Sequence, residues 1–220
     1  MNNTSSNYLF LGLPKSGKTT YFALMAQHLQ NVANRTRNRK FRYLPTQVVN
    51  QETGETTLDE DYTEDFIEDC VARIKEQKWP MKTQGYETGY SFEFIKEFSL
   101  FGKLILQRFL YRKALVEYHD YPGEAFETAF GVVADPTDEM FKIGEDLKAR
   151  IEKARGLFLI LDADAIFNSQ ERQKLGKTIT RLFRCIRKFN ERVKIAIIFN
   201  KLELFAGNVP DLKYKLRKEY

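Results

Sequence analysis

Residues 8–25 read YLFLGLPKSGKTTYFALM. The apolar run Tyr8 to Leu11 leads into a glycine-bounded octet. Tyr21, Met25 and Leu29 then recur four apart. The run predicts a short buried strand over 8–11, and the period predicts a helix from about 18 to 30. A chain that begins strand, tight loop, helix is steered toward folds in which helices cover a sheet. The octet Gly12-Leu13-Pro14-Lys15-Ser16-Gly17-Lys18-Thr19 fits G-x-x-x-x-G-K-[ST] at every fixed position. Average composition makes such a match by chance roughly a one-in-a-hundred event in a chain of this length. The strand before it and the helix after it are the setting that a phosphate-binding loop requires.

The loop's chemistry follows from its residue types. Glycines let backbone N–H groups turn inward without Cβ clashes. Those amides and the helix N-terminus can hold a polyphosphate. Lys18 is expected to reach the β- and γ-phosphates, and the Thr19 hydroxyl to ligate Mg²⁺. Gly12, Pro14, Lys15, Ser16, Gly17, Lys18, Thr19 and Thr20 are the nucleotide-binding residues expected of this segment.

Further along, the pattern keeps alternating. Residues 31–60 are polar, with a Gly54 turn. A helix from about 60 to 77 would place Tyr62, Phe66, Cys70 and Ile74 on one face, with acidic residues in its first turn. Trp79-Pro80 ends it. Residues 88–98 alternate as a strand does, with Tyr90, Phe92 and Phe94 on one side as sheet core. Residues 113–119 form another strand. The apolar and basic piece 99–112 between them suits a helix, a long hairpin or a partner-binding segment. A helix opened by Asp135-Pro136 runs to about 155 through Phe141, Gly144, Leu147, Ile151 and Ala154. A strand over 157–162, a helix over 170–190 through Leu175, Ile179, Leu182, Ile186 and Phe189, and a strand over 193–199 complete the series. The apolar runs at 8, 157 and 193 look buried on both faces, which predicts a mainly parallel sheet between two helical layers.

Two later stretches add chemistry. In ALVEYHDYPGEAF, 114–126, a strand delivers Asp120 at its carboxyl end, and Gly123 follows three residues on. The carboxyl ends of strands form the ligand crevice of an open α/β sheet. There Asp120 could hold the shell of a Mg²⁺ ion, and the Gly123 N–H could meet a γ-phosphate. In IIFNKLE, 197–203, Asn200, Lys201 and Glu203 follow an apolar strand. Asn200 could bond both a base and the phosphate loop, and the Lys201 stem could lie over a purine. The Glu203 carboxylate could accept from the two N–H groups on a guanine edge, a pair adenine lacks.

In this order, GLPKSGKT, DYPG and NKLE resemble the small GTP-binding proteins of the translation-factor and signalling type. The chain is also similar to the bacterial double-GTPase group, whose members often carry a WP…T stretch before the second strand, here WPMKT at 79–83. The resemblance implies an α/β P-loop NTPase fold, G-domain-like: a three-layer sandwich with a mainly parallel sheet and one antiparallel edge strand. It implies a single domain over 1–220 with a helical insertion at about 31–78. It implies that Thr83 ligates Mg²⁺ in the triphosphate state. Glu124 stands where many such proteins have a water-orienting Gln, so Lys18, Thr83 and Glu124 are the expected catalytic set and Thr19, Thr83 and Asp120 the metal set. Glu203 replaces the usual Asp. Only 17 residues follow Glu203. A complete G domain continues further, so a truncated chain or completion by a partner is expected.

The expected function is therefore Mg²⁺-dependent GTP binding with slow hydrolysis, GTP and GDP marking two states of a switch. A non-catalytic nucleotide-bound scaffold is the alternative, and a P-loop ATPase or kinase a weaker third. A protein effector or activating partner, or a second copy forming a dimer, is expected to supply the arginine that no motif marks. No stretch approaches the roughly 18 uninterrupted apolar residues of a membrane span. The N-terminus lacks the regions of a secretory signal, and Cys70 and Cys185 lack metal-ligand spacing, so a cytoplasmic protein with buried thiols is expected. The net charge of +5 gathers at Arg35, Arg37, Arg39, Lys40 and Arg42. That cluster is read as a solvated loop, so nucleic acid is not an expected partner.

Overall fold

A computed structural model describes residues 5–12, 16–49, 55–78, 80, 89–98, 110–121, 137–163 and 169–200. In chain order these form β1 (Ser5–Gly12), α1 (Lys18–Arg35), β2 (Arg39–Tyr43), β3 (Thr46–Val49), β4 (Thr56–Asp59), α2 (Tyr62–Lys75), β5 (Gly89–Phe98), β6 (Leu110–His119), α3 (Asp138–Lys153), β7 (Gly156–Asp162), α4 (Ser169–Phe189) and β8 (Lys194–Asn200). The class is α/β, as expected. Six strands join in the order β2-β5-β6-β1-β7-β8, and β3 and β4 make a separate antiparallel pair.

Strands β6, β1, β7 and β8 run parallel to one another, while β5 is antiparallel to both β6 and β2. The antiparallel strand is thus not the edge strand expected from the sequence, because β2 pairs outside it. The basic cluster supplies β2: Arg39, Lys40 and Arg42 belong to a sheet strand, not to a solvated loop. Lys40 meets Glu97 at 2.6 Å, and Arg42 and Lys113 both pair with Glu93, which is only 4% exposed. Residues 31–78 therefore hold β2, β3 and β4 besides the end of α1 and the expected helix α2.

Alternation of side chains along the strands builds two cores. Leu9, Leu11, Leu157, Leu159 and Leu161 point to one face, where Ile143, Leu147 and Ile151 of α3 and Leu182 and Ile186 of α4 cover them. Phe10, Ile160, Tyr90, Phe92, Val116 and Tyr118 point to the other, under Phe22, Ala23 and Ala26 of α1 and Ile67, Cys70 and Val71 of α2. Helices on both faces of one sheet match the layered expectation. Its second core is aromatic: Phe22 packs 5.5 Å from Phe10, 5.4 Å from Phe92 and 5.0 Å from Tyr118, centroid to centroid.

The helix faces differ at particular positions from the sequence pattern. The buried stripe of α1 is Phe22, Ala23 and Ala26, with Tyr21, Met25 and Leu29 at its margins. Phe141 of α3, expected inward, is 55% exposed, and Ile143 takes its place. Thr137 caps α3, its hydroxyl accepting from the Met140 N–H at 3.3 Å. β8 ends the described sheet with Ile197 at 44% exposure, so its apolar run is not buried on both faces as expected. Cys70 is buried as anticipated, and burial pushes its thiol up to about 11. The side chain of Cys185 and the segment 99–109 lie outside the described residues.

Candidate functional site

Because β1, β6, β7 and β8 are parallel, their carboxyl ends share one edge of the sheet. Gly12, Asp120, Asp162 and Asn200 stand at or just beyond those ends, with Gly12 in register with Ile160 and Asp162 with Asn200. The chain leaving β1 enters α1 on one face, while the first described helix after β6 is α3 on the opposite face. Neighbouring strands whose connections part to opposite faces leave a crevice between their carboxyl ends. Gly12, Ser16, Gly17 and Lys18 flank that crevice together with Asp120.

Two glycines set the loop's shape. An added Cβ on Gly12 would lie 2.7 Å from the Ile160 carbonyl oxygen and 2.8 Å from both Lys18 Cγ and Ser16 Oγ. Only a hydrogen fits, so Ser16 and Lys18 can close over the strand end. Gly17 has φ +83°, a left-handed backbone that any Cβ would strain, and it stands at the N-cap position of α1. A Cβ there would also overlap the Asn200 side-chain amide. That amide donates through Nδ2 to the Ser16 carbonyl oxygen at 3.0 Å. The loop and the end of β8, 184 residues apart in sequence, are thereby tied together.

Lys18 is almost wholly buried for a lysine, at 8% exposure. Its ammonium donates to the Gly12 carbonyl at 3.1 Å and stands 3.4 Å from Asp120 Oδ1. Burial pulls its pKa below the ordinary lysine value, and the Asp120 charge opposes that pull. The Thr19 hydroxyl meets the Tyr118 hydroxyl at 2.8 Å. Ser16 is 1% exposed, and its hydroxyl has no hydrogen-bond partner among the described residues. A buried unpaired hydroxyl costs about 1–3 kcal/mol, which a ligand group reaching it would offset.

The structure thus brings together Gly12, Ser16, Gly17, Lys18, Thr19, Asp120 and Asn200 of the expected residues. Thr20 lies in the first turn of α1. Pro14, Lys15, Thr83, Gly123, Glu124, Lys201 and Glu203 lie outside the described residues. Sequence reasoning missed Tyr118. The signal was available: it stands two positions before Asp120, at the carboxyl end of β6 where the crevice was expected.

The donor set suits a hard cation. A hydroxyl (Thr19) and a carboxylate (Asp120) are oxygen ligands of the kind Mg²⁺ takes alongside water and phosphate. Among the described residues no group of three or more His, Cys, Asp or Glu side chains comes together as a metal cage. Magnesium that arrives with a nucleotide needs only one or two protein ligands, so the two observations are compatible. Among those residues, too, no helix is long and apolar enough to cross a membrane. No protein-family model matches the chain, and no curated protein matches it.

Proposed function

We propose that the chain binds GTP with Mg²⁺ in the crevice between β1 and β6 and hydrolyses it slowly as a switch. The observation that carries this reading is the bond from Asn200 to the Ser16 carbonyl. It joins the segment expected to read a base to the loop expected to hold phosphates, at the one sheet edge where a ligand could touch both. The unpaired Ser16 hydroxyl and the closely wrapped Gly12 support it.

In this reading the inward amides of the loop and the N-terminus of α1 take the polyphosphate, where the helix dipole favours negative charge. Lys18 exchanges its pairing with Asp120 for the β- and γ-phosphate oxygens. A polyphosphate favours the protonated lysine, which compensates for the burial that disfavours it. Thr19 and Asp120 would hold Mg²⁺, which when bound neutralises charge gathering on the phosphates. Gly123 would sense the γ-phosphate, Thr83 would complete the ion's shell, and Glu124 would orient the attacking water. Lys201 would lie over the purine and Glu203 would select guanine.

The test is a titration of the purified chain with GTP, GDP and ATP, with and without Mg²⁺. GTP should bind more tightly than ATP, and Lys18→Ala should abolish binding while the fold survives. Equal affinities for GTP and ATP defeat the guanine assignment. Binding that survives Lys18→Ala defeats the phosphate-loop assignment. Phosphate release in a single turnover, above the uncatalysed rate, checks hydrolysis separately.

A further inference from the structure

We infer that Tyr118 is a positioning residue for Thr19, accepting the proton of the Thr19 hydroxyl so that its oxygen lone pairs face the cation. The inference rests on the nucleotide reading of the same site.

Thr19 belongs to the sheet-facing stripe of α1, three and four positions before Phe22 and Ala23. Its hydroxyl therefore points toward the sheet, at the mouth of the crevice. A hydroxyl that ligates a cation does so through its oxygen and must send its proton elsewhere. Asp120 would itself hold the cation in this reading, so its carboxylate would be taken up by the ion. Tyr118 is on the spot instead, hydroxyl to hydroxyl at 2.8 Å.

Its own position is fixed by packing. Tyr118 is wholly buried, its ring tilted against Phe22 at 5.0 Å and stacked on Tyr90 at 6.0 Å. A ring held on both sides cannot swing its hydroxyl away. Tyr118 is the last residue but one of β6 and Asp120 follows the strand directly, so this one strand end would present both the outer-shell partner and the carboxylate ligand. Outer-shell partners that orient a ligand commonly change metal affinity about 10–100-fold when removed.

Tyr118→Phe keeps the ring and deletes the hydroxyl. The readout is release of a fluorescent N-methylanthraniloyl GTP analogue as free Mg²⁺ is varied. In EDTA, wild type and Tyr118→Phe should release the nucleotide at the same rate. With Mg²⁺, the concentration that half-maximally slows release should rise about tenfold in the variant. In a Thr19→Ala background, Tyr118→Phe should add nothing further. An unchanged Mg²⁺ requirement in Tyr118→Phe, or equal effects with and without the Thr19 hydroxyl, overturns the inference. Should the variant melt early, 3-fluorotyrosine at position 118 keeps the ring and hydroxyl while weakening the oxygen as an acceptor. The Mg²⁺ requirement should then rise by a smaller factor, and no rise overturns the inference equally. A wild-type chain that holds GTP regardless of Mg²⁺ overturns it together with the Mg²⁺ assignment. One that holds no GTP sinks the nucleotide reading beneath both.

Discussion

Replacing Gly17 with alanine perturbs two features at once, and the structure lets their costs be separated. Gly17 sits at φ +83°, where a Cβ crowds the backbone and costs about 1–2 kcal/mol. The same Cβ overlaps the Asn200 amide, the far end of a side chain that can rotate away. Rotation relieves the clash but gives up the Nδ2 donation to the Ser16 carbonyl, about 1 kcal/mol net. Gly17→Ala should therefore destabilise the nucleotide-free fold by about 2–3 kcal/mol in urea denaturation, the sum of those two terms. Asn200→Ala alone should cost about 1 kcal/mol through the lost hydrogen bond. The double variant should cost about 2–3 kcal/mol, no more than Gly17→Ala alone, because the same bond is lost once. Strict additivity of the two single variants refutes the contact between the loop and the end of β8. A Gly17→Ala protein as stable as wild type refutes the left-handed loop backbone itself.

Phe22→Ala should cost about 3–5 kcal/mol in the same urea assay, because Phe22 is fully buried against Phe10, Phe92 and Tyr118. Gly176, inside α4 with open space where a Cβ would go, should gain stability on Gly176→Ala, by about 0.5–1 kcal/mol in thermal or urea melts. Burial would push the Glu93 carboxyl up, but its bonds to Lys113 and Arg42 outweigh that and hold it below the ordinary glutamate value. A depressed carboxylate contributes stability above its unfolded value and loses it as pH falls through the folded one. Denaturation midpoints of wild type should therefore drop as pH falls below about 4.5, and Glu93→Gln should be less stable at pH 7 with a flatter acid limb. An equally steep acid limb in Glu93→Gln contradicts this.

The reach of the sequence can be judged element by element. Period-two alternation in 88–98 placed Tyr90 and Phe92 in the core, and both are buried there. The glycine and lysine spacing at 12–18 singled out a segment whose glycines prove sterically obligatory. Less legible was β2. Its run RKFRY is basic at three of five positions, and strand identity there depends on Glu93 and Glu97 waiting across the pair. Periodicity also misjudged Phe141, because an apolar residue at helical spacing faces inward only if another element covers it. The same limit applies to β8, the last strand of the described sheet, whose apolar composition does not say whether both its faces will be covered.

Local sequence by itself determined the strand-loop-helix opening, the alternation of strands with helices, and the glycine spacing at 12 and 17. Those depend on backbone geometry and periodicity, which neighbouring residues set among themselves. Strand order, the parting of α1 and α3 to opposite faces, and the meetings of Lys18 with Asp120, Thr19 with Tyr118 and Asn200 with Ser16 were decided by tertiary structure. Each of those pairings spans about a hundred residues or more, and burial of the two cores, not local preference, brings such distant groups within bonding distance.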